Sequence, residues 1–366
     1  MESLIDVKGL KESLLGRYPL KASLFLGLGD IIIQVKSNSE TLIADLRRYF
    51  REFISWESHE NILICAIETD RESFFLPFQE KEPDPGKTRI KEEYCDLPDG
   101  RIVRKRLTGI VLIFNGQCNL AVGPCTANSN QIVNFINNRF IEWMLRRGSL
   151  LAHAAGVCLG ERGLSIAGFS GAGKTTLALH LLTRGAGFVS NDRLLVHCRG
   201  KVVRMCGVSK HPRVNPGTLL SIRGLETVMS EEEREAFGLL NGDDLWSLEH
   251  KYDVIIDEVF GNKKFNLSAP LNGLLLLNWK RNGAPLNIRP IDIAQRPDLL
   301  TAFIKSPGLF FLPEGGAAPP DLSPERYVNI LKRCEVFEAS GGVDFDGAAD
   351  FCLDFLDREG SGHVGT

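Results

Sequence analysis

The chain has 366 residues, of which 43% are hydrophobic and 24% are charged, and its formal net charge is −3. This composition predicts a globular protein of about two domains, and the near-neutral charge argues against a nucleic-acid partner. The nine cysteines contain no Cys-x-x-Cys pair, which favours reduced thiols in a cytoplasmic protein over disulfides or a zinc site. No apolar run approaches the roughly 20 residues of a membrane helix, and the N-terminus lacks a signal-peptide pattern, so we expect no membrane partner.

The sequence of residues 1–148 predicts an α+β domain that contains no catalytic or binding motif. Apolar residues alternate in some stretches and recur at helical spacing in others. The predicted elements are two strands over 22–36, a helix opened by a capping box from Ser37 to Glu40, strand-like segments over 60–78 and 101–123, and a helix capped near Asn128. The domain could serve in substrate recognition or assembly, or as a structural cap on the domain that follows.

Four basic residues lie close together in the segment that begins at residue 101: Arg101, Arg104, Lys105 and Arg106. The alternating pattern predicts that they form the solvated face of a strand. A phosphate-facing role is the alternative.

A glycine-rich stretch after an apolar run follows the pattern G-x-x-x-x-G-K-T, which is typical of a phosphate-binding (Walker A) loop. Gly171 and Gly173 allow consecutive N–H groups to point at one anion. Lys174 brings a positive charge to the outer phosphates of ATP, and the Thr175 hydroxyl can bind Mg²⁺. The predicted nucleotide-binding residues are Gly168, Phe169, Ser170, Gly171, Ala172, Gly173, Lys174, Thr175 and Thr176.

Two distinctive positions flank this loop. His153 lies in a strand that is predicted to form a hairpin with the strand of the loop, and Asn191 and Asp192 follow the strand after the loop helix. A carboxylate at a strand end can lie beside bound phosphates, so Asp192 is a candidate base or Mg²⁺ ligand, with a simple turn residue as the alternative. His153 could tune that carboxylate, or it could be a core histidine bonded to a backbone carbonyl.

Residues 150–310 resemble the HPr kinase/phosphorylase family, and more closely its branch of HPr-kinase-related kinases of the kinase B type. His153 lies 15 residues before Gly168, and Asn191 and Asp192 follow Gly168 by 23 and 24 residues, which matches the spacing of the family's His and Asp-Asp pair. Arg184–Gly185 is similar to the Arg-Gly that closes the family's loop helix. Three later segments are also similar to family segments: Leu219–Leu225, Leu275–Trp279 and Asn287–Pro290.

The resemblance implies an α/β fold in which a P-loop domain of the HPr-kinase type, over 149–310, follows the α+β N-terminal domain. Residues 311–366 are then a C-terminal helical or flexible extension. The family transfers phosphate from ATP, with Mg²⁺, to a hydroxyl, classically a protein serine, and its members assemble as oligomers. On this pattern the catalytic residues are Lys174, Asp192 and His153, the Mg²⁺ ligands are Thr175 and Asp192, and the acceptor is a protein.

Two positions depart from the family pattern. Asn191 stands where the first carboxylate of the pair is expected, and Ser221 replaces a glutamate. Both changes remove carboxylates, so the base is Asp192 or is absent, and a reverse phosphorylase activity is less expected. Two alternatives therefore stay open: a kinase for a small-molecule hydroxyl, and a non-catalytic nucleotide-binding regulatory protein with a degenerate site.

Further predictions concern the chain downstream. The loop over 210–217 could clamp the acceptor or the γ-phosphate with its cations, or it could be a surface turn. The run 252–261 resembles a Walker B strand that ends near Asp257, with an exposed strand end as the alternative. Arg289 is predicted to reach the phosphates or the adenine of ATP. The terminus from Arg358 is expected to be disordered.

Overall fold

The computed structural model describes residues 5–70, 72–83, 88–241, 244–245, 248, 250–313 and 319–358. The chain divides into two compact units, of which the first comprises Met1–Trp143 and Pro307–Pro320 and the second Met144–Ser306 and Asp321–Thr366. Both units combine helices with sheets, so the mixed α/β composition that the sequence predicts is confirmed. The predicted domain boundaries at 148/149 and 310/311 stay a prediction. The disorder expected after Arg358 falls outside the described residues.

The first unit is built on an eight-stranded sheet. Its helices are α1 (Val7–Arg17), α2 (Glu40–Tyr49) and α3 (Ser129–Arg146), the last of which begins in this unit. Its strands are β1 (Ala22–Leu28), β2 (Ile31–Ser37), β3 (Ile62–Glu68), β4 (Gln79–Glu80), β5 (Glu92–Leu97), β6 (Gly100–Lys105), β7 (Val111–Phe114) and β8 (Asn119–Gly123). The strand order is β1-β2-β3-β8-β7-β6-β5-β4, and β3 is parallel to both of its neighbours.

The beginning of this unit tests two predictions from the sequence. The two strands predicted over 22–36 are present as β1 and β2, which pair as an antiparallel hairpin, and the segment predicted over 60–78 contains β3. The predicted capping box at Ser37 is wrong, because Ser37 completes β2 as the partner of Ala22 and its backbone is extended. The helix cap is instead Ser39, whose hydroxyl accepts a hydrogen bond from the Leu42 N–H at 3.1 Å.

The four basic residues on β6 and in the turn after it are paired with carboxylates on neighbouring strands. The ion pairs are Arg101–Asp96, Arg104–Glu93, Lys105–Glu92 and Arg106–Glu80. Three of these pairs stand directly opposite each other in the antiparallel register of β5 and β6, where opposite charges stabilise a sheet. The predicted strand is confirmed, but these cations do not form one solvated face: the side chains of Arg101 and Lys105 are only 16% and 14% exposed, and Arg104 lies on the opposite face from Lys105.

The second unit contains three sheets in its described part. Its helices are α4 (Lys174–Thr183), α5 (Pro216–Ser221), α6 (Glu231–Gly238), α7 (Ile256–Phe260), α8 (Pro297–Leu300), α9 (Pro324–Leu331) and α10 (Phe345–Asp357). Its strands are β9 (Leu150–Ala152), β10 (Ala154–Leu159), β11 (Arg162–Gly168), β12 (Gly187–Ser190), β13 (Leu194–Arg199), β14 (Val202–Cys206), β15 (Arg213–Val214), β16 (Tyr252–Asp253), β17 (Ser268–Pro270), β18 (Gly273–Leu277), β19 (Leu286–Pro290) and β20 (Glu335–Gly341). The sheets have the orders β12-β10-β11-β18-β20-β19, β17-β14-β13-β9 and β15-β16.

The six-stranded sheet is organised around β18, whose residues are all buried. Leu274 and Leu276 lie in one buried cluster with residues of the four-stranded sheet, whereas a Cβ at Gly273 would meet the ring of Phe355 in α10. A strand that is covered on both faces carries a continuous apolar run, as β18 does. Because β18 is parallel to β11 and β20, the glycine-rich turn, Trp279 and α10 all follow strand ends at the same edge.

No helix within the described ranges is long and apolar enough to cross a membrane.

Candidate functional site

The glycine-rich turn 169–173 connects the end of β11 to the start of α4. Gly171 and Gly173 have φ angles of +79° and +91°, in the left-handed region that favours glycine. A Cβ at Gly173 would also approach the ring of Phe345 to 2.7 Å. The predicted order of strand, glycine-rich turn and helix is therefore present, and its backbone depends on glycine at these two positions.

The ammonium group of Lys174 lies across this turn. Its Nζ donates hydrogen bonds to the carbonyl oxygens of Gly168 at 2.8 Å and Phe169 at 3.3 Å. The residue is buried, and burial lowers the pKa of Lys174 while the charge of Asp192 opposes that shift. A buried ammonium bound to neutral carbonyls gains strongly from an anion. Lys174 is thus suited to exchange loop carbonyls for phosphate oxygens.

The first turn of α4 contacts the turn after β12. The Thr175 hydroxyl donates a hydrogen bond to the amide oxygen of Asn191 at 2.6 Å. These two groups place neighbouring oxygen atoms at the start of the helix, and Mg²⁺ prefers oxygen ligands. Over the described residues, no group of three or more His, Cys, Asp or Glu side chains could hold a metal ion. Mg²⁺ in proteins is commonly bound by one or two protein oxygens together with water molecules and phosphate oxygens of the substrate.

Asp192 is brought together with His153, as predicted, and with Lys305, which the sequence did not indicate. His153 Nε2 lies 3.0 Å from Asp192 Oδ1, and Lys305 Nζ lies 3.3 Å from Oδ2. Arg193 Nε lies 3.9 Å from the same Oδ2. The side chain of Asp192 nevertheless remains 51% exposed, so a ligand can still reach the carboxylate.

Backbone pairing beside β9 positions both basic partners of Asp192. The His153 N–H donates to the carbonyl of Phe303 at 2.7 Å, and the Lys305 N–H donates to the carbonyl of Leu151 at 3.1 Å. Lys305 lies 113 positions from Asp192 along the chain. No local sequence pattern could therefore have indicated this contact.

The pKa of Asp192 is set by opposing effects. Burial raises it, but the hydrogen bond from His153 and the positive charges of Lys305, His153 and Arg193 together hold it well below its ordinary value. The carboxylate therefore stays ionised at neutral pH. It can accept a hydrogen bond from an incoming hydroxyl, although it is a weak proton acceptor before reaction begins.

Two cavities open beside the loop. The first has a volume of about 560 Å³, and its lining includes Trp279 and Phe345, whose rings meet edge to face at 5.3 Å. The second has a volume of about 480 Å³, and its lining includes His153 and Asp192. Clefts of this size hold small ligands or parts of larger ones. Five residues line both cavities: Gly171, Lys174, Thr175, Arg213 and Lys251.

The residues predicted to bind the nucleotide are distributed around these cavities. Residues 171–176 line the first cavity, and Ser170 lines the second. Gly168 and Phe169 contribute the two carbonyls that bind Lys174. The loop therefore separates a space with aromatic walls from a space that contains Asp192.

The loop over 210–217, predicted as a clamp or a surface turn, borders the second cavity. Lys210 and Arg213 line this cavity, and Arg213 also pairs with Asp253 at 3.2 Å. Asn215 caps α5 by accepting a hydrogen bond from the Thr218 N–H at 3.2 Å. The cap and the ion pair hold the loop in a position where its cations can contact a ligand.

Arg289 lines neither cavity. It pairs with the buried carboxylate of Glu338 at 3.0 Å. The same carboxylate also binds Arg296 at 2.8 Å and Asn278 at 2.8 Å. Burial raises the pKa of Glu338, but the hydrogen bonds from these three partners outweigh it and lower the pKa to about 2. Arg289, whose side chain is 59% exposed, therefore pairs with a buried carboxylate in this structure, and its contact with ATP stays a prediction.

The predicted Walker B strand near Asp257 is wrong, because Asp257 lies in helix α7. Its Oδ1 accepts hydrogen bonds from the N–H groups of Lys264 at 3.0 Å and Phe265 at 3.2 Å. The position next to β11 that a Walker B strand could occupy is filled by β18 in parallel register. Asp257 therefore stabilises a turn.

No protein-family model matches this chain, and no curated protein matches it either. Among solved structures, the chain is similar to the HPr(Ser) kinase/phosphatase from Coxiella burnetii. The two share 12% sequence identity with a TM-score of 0.29, over 57% of this chain and 88% of that chain. A TM-score this low does not show a common fold, so we base the function on the residues of the site.

Proposed function

We propose that this chain is an ATP- and Mg²⁺-dependent kinase that transfers the γ-phosphate to a hydroxyl group, most simply a serine or threonine hydroxyl of a protein. One observation carries the proposal: Asp192 and His153 line the same cavity as Lys174 and Thr175. A phosphate donor and a hydroxyl acceptor could therefore meet between the loop and the carboxylate. The resemblance of residues 150–310 to the HPr kinase/phosphorylase family supports the same chemistry.

The loop side of the site would bind the donor. Its N–H groups and the start of α4 favour the phosphates, and Lys174 neutralises the transferred group. Mg²⁺, when bound, supplies positive charge to the β- and γ-phosphate oxygens. We propose Thr175 and Asp192 as its protein ligands, with the amide oxygen of Asn191 beside them.

The carboxylate side would receive the acceptor. The hydroxyl donates a hydrogen bond to Asp192, its oxygen bonds to the γ-phosphorus, and the bond to the β–γ bridging oxygen breaks to release ADP. The hydroxyl proton passes to Asp192 and then to solvent. A low pKa suits this role because phosphoryl transfer has a loose transition state in which the hydroxyl loses its proton late. His153 and Lys305 act as positioning residues that aim the carboxylate.

One observation favours a second candidate function, a non-catalytic nucleotide-binding regulator. The side chain that contacts Thr175 is the neutral amide Asn191, and the carboxylate of Asp192 already contacts His153 at 3.0 Å and Lys305 at 3.3 Å. A site with this charge pattern could bind nucleotide without transfer. A small-molecule hydroxyl as acceptor is the third possibility, since the cavity of about 480 Å³ would hold one.

Incubation with γ-labelled ATP, Mg²⁺ and a cell extract tests these candidates. Labelled protein supports the protein kinase, and label in the small-molecule fraction supports the small-molecule kinase. In either case Asp192→Asn should reduce labelling about 100-fold or more, whereas the control Asp96→Asn, which removes a carboxylate from the β5–β6 strand pair, should not. Nucleotide binding without label transfer, unchanged in Asp192→Asn, would contradict the kinase and favour the regulator.

A further inference from the structure

The second cavity has a strong excess of positive charge. Among the described residues that line it, five are Lys or Arg and one is a carboxylate. The basic residues are Lys174, Arg193, Lys210, Arg213 and Lys251. A cleft lined by one sign of charge focuses its field and concentrates ligands of the opposite charge.

These cations fall into two groups. Lys174, Arg213 and Lys251 also line the first cavity, so the phosphates of a nucleotide could account for them. Arg193 and Lys210 line the second cavity and not the first. Their charge is therefore directed at whatever occupies the space beside Asp192.

The position of Lys210 in this cavity disfavours the charged form of its side chain. The residue is partly buried, and burial together with the nearby charge of Arg193 lowers the pKa of Lys210 to about 8, against the opposing effect of Asp192. The surroundings therefore disfavour the charged form of Lys210, although the carboxylates of Asp192 and Asp253 offset part of this effect. A bound anion would relieve both the desolvation and the repulsion between the cations.

We propose that Lys210 and Arg193 form an anion subsite for the acceptor, so that the phosphorylated hydroxyl belongs to a compound or segment that also carries a carboxylate or phosphate group. This inference rests on the proposed function for the identity of the ligand as acceptor. Arg and Lys together are well suited to bind such a group, because guanidinium forms paired hydrogen bonds and ammonium adds a point charge. A neutral hydroxyl compound would bring no negative charge into this positively charged cavity.

Inorganic phosphate is the probe for this subsite. It is titrated into full-length protein loaded with Mg²⁺ and β,γ-imido-ATP, which occupies the loop, and binding is measured by calorimetry. Wild type should bind one phosphate, and Lys210→Gln and Arg193→Gln should each weaken binding about 10- to 100-fold, as for loss of a charged hydrogen bond. The control Lys105→Gln removes a paired lysine of the first unit and should leave the affinity unchanged. Thermal unfolding checks that both subsite variants are folded.

A second measurement separates this inference from the proposed function. Lys174→Ala without nucleotide should still bind phosphate in a manner that depends on Lys210, even if no nucleotide complex can be formed. Absence of phosphate binding in both settings, or binding that neither Lys210→Gln nor Arg193→Gln weakens, would overturn the subsite. If the subsite persists while nucleotide fails to bind, only the kinase proposal fails.

Competition then identifies the source of the anion. Displacement of phosphate by a serine peptide with flanking aspartates supports an acidic protein segment, and displacement by glycerate supports a small hydroxy acid. Either result supports an acceptor subsite, provided that the control serine peptide with flanking asparagines displaces nothing. If neither acidic compound displaces phosphate, the assignment of this subsite to the acceptor is wrong.

Discussion

The two units of the chain use their basic residues in contrasting ways. In the β5–β6 strand pair of the first unit, the register sets a carboxylate directly opposite each of three cations. In the second unit, five Lys or Arg residues from distant parts of the chain surround a cavity with one carboxylate among its described lining residues. Paired cations stabilise local structure by small amounts, whereas an excess of cations raises the potential of a cleft. We infer that the first set is structural and the second binds ligand.

The largest expected effect is that of Lys174→Ala. Loss of the ammonium beside the transferring phosphate should reduce phosphate transfer by about 10³-fold. The thermal unfolding midpoint should stay near that of wild type, because the removed group is a desolvated cation bound only to loop carbonyls in the described contacts. Initial rates with labelled ATP measure the first effect, and Lys105→Ala is the matched control. Transfer within tenfold of wild type would contradict the assignment of the loop.

Glu338→Gln removes the charge of a buried carboxylate in the second unit that pairs with two arginines. We expect this variant to change the stability of the fold. The pKa of Glu338 is lowered from 4.5 to about 2 in the folded protein. Its ionisation therefore stabilises the fold fully above about pH 4.5, and this stability is lost as the pH falls towards 2. The variant should lose about 2 kcal/mol at pH 7 and much less at pH 3, measured by urea unfolding.

The exposed Glu335 on the same strand provides the control for this variant. It pairs with Arg358 at 3.5 Å, and its side chain is 54% exposed, so Glu335→Gln should change stability little at either pH. If Glu338→Gln destabilises the protein equally at pH 3 and pH 7, packing and not ionisation explains the effect.

Asn191→Asp should sharpen the contrast between the two units, because it adds a carboxylate to the charged site of the second unit. It places a carboxylate beside the Thr175 hydroxyl, at 2.6 Å in the present contact, where a negative oxygen would strengthen the binding of Mg²⁺. We expect the Mg²⁺ concentration for half-maximal transfer to fall about tenfold, within the range that ligand-shell changes produce. A Mg²⁺ titration with Asn191→Ala as the companion variant measures this. An unchanged requirement would indicate that Asn191 lies away from the metal.

The smallest effect is expected for Arg104→Ala in the first unit. Arg104 pairs with Glu93 across the strands, and its guanidinium carbon lies 4.1 Å from the centroid of the Phe78 ring. A partly exposed ion pair near the surface contributes up to about 1 kcal/mol, so unfolding should shift slightly and nucleotide binding should not change. A loss of nucleotide binding in Arg104→Ala would contradict the assignment of a purely structural role to the cations of the first unit.

Several parts of the fold could be predicted because their causes are local. The two strands over 22–36 and the glycine-rich turn before α4 each depend on a few adjacent residues. The error at Ser37 has a different origin. A strand and a helix cap compete for that residue, and pairing with Ala22 decides the outcome.

The Walker B interpretation failed for a tertiary reason. The apolar run before Asp257 is compatible with a strand, but β18 occupies the place beside β11. Tyr252–Asp253 pairs with Arg213–Val214 instead, and a short helix follows. Which of two apolar segments enters a sheet depends on the packing of the entire core, which no short window contains.

The sequence by itself determined the glycine-rich turn, the helix after it and the spacing of His153 and Asp192 around it, because these features depend on residue type and local order. The tertiary structure alone decided that Lys305 binds Asp192, that Asn191 binds Thr175, and that Lys210 and Arg193 line one cavity. These contacts join residues that backbone pairing and sheet order bring together from separate parts of the chain. The charge environment of these residues depends on all of their charged neighbours, and only folding brings those neighbours together.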